Sequence, residues 1–171
     1  QDQAISAFFQ PGQLSLWELR KAFQAAAGDE KIKAVYLKVP YLTMSWAQVE
    51  EIRDMITEFR ESGKMVHIFL NLDMAAEKEV FLASAANEIY LNPTSNLLLD
   101  GFMAETIFFK GTMEKLGVVP QFLQMKEYKS AETYSRDRMT PEIRRMYQEL
   151  LEDMQNHFLL TVSVARNLKL E

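Results

Sequence analysis

Lys129 stands between Tyr128 and Ser130, four residues past the apolar run V-V-P-Q-F-L-Q-M at 118–125, and is the side chain whose setting could do chemistry. A lysine amine acts as a general base only when neutral, which requires burial to pull its pKa down by several units. A lysine placed where a buried strand ends can be desolvated in this way, and the reaction it would serve is activation of a serine hydroxyl. Lysine is by default a solvated side chain, so residue type alone favours a surface cation for Lys129 over a base. Ser130 does not supply the nucleophile, because adjacent side chains of an extended chain point to opposite faces. Ser45 reads as a helix cap, Ser95 as a turn residue and Ser84 as packed among small helix residues. No serine has a nucleophile's surroundings.

Other chemistries lack their residues. There is no G-x-G-x-x-G, no G-x-x-x-x-G-K-[ST] and no G-x-S-x-G, so dinucleotide binding, a P-loop and a hydrolase elbow are unsupported, and no cofactor is expected. The chain has no cysteine, which removes thiolate nucleophiles and zinc–sulfur sites. His67 and His157 stand far apart without ligand-like partners, so no metal site is expected, and His67 inside M-V-H-I-F-L reads as a core or sheet-face residue. A net charge of −5 argues against nucleic acid as a partner. The basic cluster Arg136, Arg138, Arg144 and Arg145 is mixed with Asp137 and Glu142 and reads as a solvated helix entrance.

The elements that must position Lys129 follow from capping and periodicity. Ser15 with Glu18 and Ser45 with Gln48 are capping boxes, the first with Leu14 and Leu19 as a hydrophobic staple. After the second, Val49, Ile52, Met55, Ile56 and Phe59 mark an apolar helix face. Strands are expected at 32–39, 65–70, 88–93 and 118–125, with a short one near N-L-L-L-D-G, and helices at about 75–86 and 108–116. Pro120 suggests an edge position or a strand beginning. Thr140-Pro141-Glu142 starts a helix running to about Arg166, with an apolar stripe of Ile143, Met146, Tyr147, Leu150, Leu151, Met154 and Phe158. Helix and strand alternate as in parallel βαβ units. At 171 residues, 48% hydrophobic and 25% charged, the chain reads as a single α/β domain over 1–171. No run of about 18 apolar residues is present to span a membrane.

From Leu14 to about Leu168 the sequence resembles the signal peptide peptidase A (protease IV) family, and in particular the N-terminal half of its tandem-domain form. E-F-R-E-S-G-K at 58–64 matches a helix end F-R-x-S-G-K, and F-L-A-S-A-A-N-E-I-Y-L-N-P at 81–93 is similar to Y-L-A-S-x-A-D-K-I-x-L-N-P. D-E-K-I-K-A-V-Y-L at 29–37 and F-F-K-G-T-M-E-K-L-G-V at 108–118 also fit family segments. The fullest match is Y-K-S-A-E-T-Y-S-R-D-R-M-T-P-E at 128–142, beside Y-K-S-A-x-E-P-F-x-R-D-x-M-S-P-E.

The resemblance implies a crotonase-like (ClpP-like) fold of repeated ββα units with a mostly parallel sheet packed by helices. It implies a serine–lysine peptidase degrading hydrophobic or signal peptides, with Lys129 as the general base and the nucleophilic serine on the C-terminal half. It further implies ring-like homo-oligomers and anchoring in the inner membrane with the catalytic part on the outer side. The family's upstream strands and C-terminal half are expected to lie outside this chain. Two departures stand out. Where single-domain members carry A-A-S-G-G, this chain has Ala75-Ala76-Glu77-Lys78-Glu79; where they carry S-P-G-G, it has Pro40-Tyr41-Leu42-Thr43-Met44. The serine and the paired glycines that let backbone N–H groups approach an oxyanion are both missing. These losses suit a lysine-donating half and equally suit a catalytically inactive assembly domain. A crotonase-type acyl-CoA enzyme would share the fold but needs the oxyanion glycines.

Overall fold

Ser15 and Ser45 start their helices by the same device. A computed structural model describes residues 15–123 and 131–170. In it Ser15 Oγ accepts the Glu18 N–H while the Glu18 carboxylate accepts the Ser15 N–H at 2.8 Å, opening α1 (Leu16–Gly28). Gln48 Oε1 accepts the Ser45 N–H at 2.9 Å, opening α2 (Trp46–Glu61). Leu14 of the expected staple lies outside the described residues. The α2 face of Val49, Ile52, Met55, Ile56 and Phe59 is buried as its spacing requires. Gly63, at φ 78°, supplies the left-handed turn that carries the chain from α2 into the next strand. Lys64 then reaches back, its Nζ donating to the Ala26, Ala27 and Asp29 carbonyls at 2.6–2.7 Å, which closes the C-terminal end of α1.

The described residues fall into two compact units, one within 1–99 and 160–171, the other 100–159. In the first, β1 (Ala34–Val39), β2 (Met65–Leu70) and β4 (Glu88–Leu91) form a parallel sheet in the order β1-β2-β4, with Leu37 opposite Ile68 and Ile68 opposite Ile89. Two very short strands, β3 (Met74–Ala75) and β5 (Asn96–Leu97), pair parallel in a second sheet. Between them runs α3 (Glu77–Ser84). The chain therefore places β2 in the large sheet and β3 in the small one, passes through α3, and repeats the two placements with β4 and β5. That is a ββα unit, in an α/β fold with parallel strands packed by helices. Val66, Ile68 and Leu70 of β2 point into the core, while Tyr36, His67 and Tyr90 lie on the opposite sheet face, as strand alternation requires.

In the second unit, α4 (Lys110–Lys115) and α5 (Glu132–Ser135) precede α6 (Pro141–Arg166), whose residues from Leu160 onward belong to the first unit. Thr140 caps α6, its Oγ1 accepting the Ile143 N–H at 3.3 Å. The buried stripe of α6 is narrower than its composition suggests: Ile143 and Phe158 are buried, whereas Met146 and Leu150 are exposed. The strand expected at 118–125 is corrected over its described part. Residues 118–123 are irregular, with Val119 84% and Leu123 104% exposed. Apolar, β-branched residues do not make a strand without a neighbour to pair with, and Pro120 has no N–H to offer a ladder.

Candidate active site

The two segments that depart from the family's glycine-rich pattern meet in the first unit. The loop 40–45 follows β1, and Ala75–Glu79 joins β3 to the first turn of α3. Their contact is the Glu79 side chain, 1% exposed. Its Oε1 accepts the Leu42 N–H at 2.7 Å and its Oε2 accepts the Ala76 N–H at 3.1 Å. A carboxylate taken out of water needs such donors, and the positive end of α3 adds to them. The neighbouring Lys78 grips the same loop, its Nζ donating to the Met44 carbonyl at 2.9 Å beside the Trp46 ring. Trp46 in turn packs edge-on against Phe81 at 5.7 Å between ring centroids.

Backbone N–H groups that converge on one oxygen-bearing group are the means by which acyl-transfer enzymes hold an oxyanion. Here both N–H groups are taken by a carboxylate of the chain itself. Residue type places Glu79 among surface charges, but its helical position does not: Glu79, Leu82 and Ala83 follow the i, i+3, i+4 spacing of a buried face, and all three are buried. That spacing was the available signal.

The serine hydroxyls are equally committed. Ser15 and Ser45 cap α1 and α2. Ser62 donates to the Phe59 carbonyl, Ser84 to Phe81, Ser95 to Leu72, Ser135 to Ala131 and Ser163 to Leu160, at 2.6–3.0 Å. Among the described residues, therefore, no serine hydroxyl is hydrogen-bonded to a lysine amine. His67 lies on the open sheet face, its Nδ1 2.9 Å from Glu88 Oε2, which also accepts the Tyr90 hydroxyl.

Lys129, the expected base, lies outside the described residues together with Tyr128 and Ser130. The chain that follows it is tightly held within the second unit. The buried Glu132 carboxylate accepts the Thr140 N–H at 3.4 Å and pairs with Arg136 at 3.7 Å, tying α5 to the start of α6. Lys110 pairs with Asp137 at 3.2 Å, and the Asp137 carboxylate raises the pKa of the Lys110 amine. A polar cleft of about 620 Å³ opens here, lined by Lys110, Ser135, Arg136, Arg138 and Thr140 among others.

Comparison with known proteins gives the chain its kin. The family model for "Peptidase family S49" matches residues 58–171. A chloroplastic serine protease SPPA of Arabidopsis thaliana is 35% identical over 92% of the chain and 23% of its own length. Protease 4 of Haemophilus influenzae is 33% identical over 93% of the chain and 26% of its own length. Protease 4 of Salmonella typhi is 30% identical over 90% and 25%. The chain thus spans about a quarter of the length of these curated relatives. A solved enoyl-CoA hydratase/isomerase family protein from Silicibacter pomeroyi covers 50% of the chain and 42% of its own at 16% identity and a TM-score of 0.38, a likeness too loose to carry an argument. Among the described residues no helix is long and apolar enough to cross a membrane. With the family model covering the stretch from the end of α2 through α6, the chain belongs to peptidase family S49.

Proposed function

We propose that this chain is the lysine-bearing part of a serine–lysine peptidase acting on hydrophobic peptides such as cleaved signal peptides, with the nucleophilic serine supplied by another part of the full-length protein. Lys129 takes the proton of that serine as it attacks the peptide carbonyl and returns it to the leaving amine. The observation that carries this reading is Glu79, whose carboxylate holds the N–H groups of Leu42 and Ala76 where an acyl oxyanion would need free donors. The commitment of every described serine hydroxyl to a cap or a carbonyl supports it further. A domain arranged this way does not complete a site alone. The ring-like homo-oligomer and the membrane anchorage with the catalytic part on the outer side rest on the family resemblance.

The test is hydrolysis of a hydrophobic peptide by the 171-residue chain and by the full-length protein. Turnover is expected from the full-length protein and none from the chain alone; turnover by the chain alone would overturn the division of labour. The same Glu79 observation favours a second reading, a catalytically inactive assembly domain, for which the full-length protein would carry no A-A-S-G-G segment elsewhere and Lys129 would be dispensable.

A further inference from the structure

Between the outer side of α2 and the last turns of α6, within the first unit, lies a cleft of about 470 Å³, lined by Arg53, Thr57, Arg60, Leu160, Thr161 and Val164 among others. That size falls in the range of ligand pockets, about 300–1,000 Å³. Its charge is one-sided: the lining holds two guanidiniums and no carboxylate. Arg53 and Arg60, seven residues apart, share one face of α2.

Both heads are held in place before any ligand arrives. Arg53 Nε donates to the Phe81 carbonyl at 3.3 Å and its guanidinium lies 5.1 Å over the Phe81 ring. Arg60 Nη1 donates to the Ala85 carbonyl at 2.7 Å, just past the end of α3. These bonds use only part of each fork. Arg60 Nε is buried with no hydrogen-bond partner, and buried polar atoms are nearly always paired. Among the described residues no acceptor bonds the remaining N–H groups of either arginine. Burial disfavours the charge of Arg53; Glu50 and Asp54 oppose that effect, but neither lines the cleft. The other wall is apolar and open, with Leu160 55% and Val164 81% exposed.

We propose that this cleft binds the C-terminal carboxylate of a short apolar peptide. The carboxylate sits on the Arg53 and Arg60 guanidiniums, whose planar forks suit two oxygens. The last apolar side chain lies against Leu160 and Val164, and the Thr57 hydroxyl, which donates to the Arg53 carbonyl at 3.0 Å, offers the terminal amide its oxygen as an acceptor. A bare inorganic anion would use the cations and leave the apolar wall wet. The choice of a peptide rests on the peptidase reading above: each hydrolysed bond adds water and leaves a new carboxylate on the acyl fragment and a new amine on the other. The cleft then retains the acyl-side products.

The test is calorimetric titration of the 171-residue chain with N-acetyl-Leu-Phe, as free acid and as amide. It reads binding and not turnover, so its failure leaves the role of Lys129 untouched, and loss of that role leaves the titration unaffected. The acid is expected to bind at least tenfold more tightly than the amide. Arg53→Gln is expected to weaken the acid at least tenfold. Val164→Asp changes an exposed wall position that folding does not require, and its carboxylate is expected to repel the acid by a similar factor. Equal binding of acid and amide, an unaffected Val164→Asp, or no binding of the acid would overturn the proposal. Dodecanoate binding more tightly than the peptide acid would overturn its assignment to a peptide.

Discussion

The Glu79 carboxylate and the Leu42 N–H meet at 2.7 Å inside the core, joining the loop after β1 to the first turn of α3. Removing the carboxylate leaves the N–H groups of Leu42 and Ala76 buried without acceptors, at about 1–3 kcal/mol each before relaxation. Glu79→Ala is therefore expected to cost about 2–4 kcal/mol, and Glu79→Gln less, because its amide keeps one acceptor oxygen. Urea midpoints measure both. An Ala variant within about 0.5 kcal/mol of the parent, the range of ordinary surface changes, would contradict the assignment of Glu79 as a core clamp.

Ser45 has a smaller and separable part. Its hydroxyl accepts the Gln48 N–H and Gln48 returns the bond, so Ser45→Ala is expected to cost about 1 kcal/mol and Ser45→Gly only a few tenths. The order Gly above Ala in urea midpoint is the result to check. The reverse order would mean that the capping box does not hold α2.

On the open sheet face, Tyr90 donates its hydroxyl to Glu88, and this bond, ahead of those from His67, holds the Glu88 carboxyl below its ordinary value of 4.5. A depressed folded value stabilises the protein fully above pH 4.5, and the contribution is lost as pH falls through the lowered value. The Tyr90 hydroxyl is raised above its ordinary 10.0 by the same bond, so its contribution is present below that pH and lost as pH rises through the raised value. Tyr90→Phe is expected to move the Glu88 midpoint upward in a carbon-13 NMR titration. An unmoved midpoint would assign the shift elsewhere.

Much of this was legible in the residues, and the boundary follows range of interaction. The caps at Ser15, Ser45 and Thr140 and the Val49-to-Phe59 stripe involve neighbours within one or two turns, so local spacing declares them. The short strand β3 does not declare itself, because Met74 finds its partner at Asn96, across α3 and β4, whereas β5 lies at the start of N-L-L-L-D-G, where a short strand is expected. Residues 118–123 err in the opposite direction: apolar and β-branched, they have strand composition but no strand. Glu79 hid behind its charge, although its place on the α3 face with Leu82 and Ala83 marked it as buried. For Lys129 residue chemistry alone favoured a surface cation; only the match of Y-K-S-A and the segment after it turned the reading to the base.

The central claim is tested most directly by Lys129→Ala in the full-length protein, with hydrolysis of a hydrophobic peptide and oligomeric state measured on the same preparation. Loss of general-base catalysis at the nucleophile is expected to lower kcat by at least about 10²–10⁴-fold while the assembly stays intact. Undiminished turnover in an intact assembly would contradict the account and leave this chain as a scaffold.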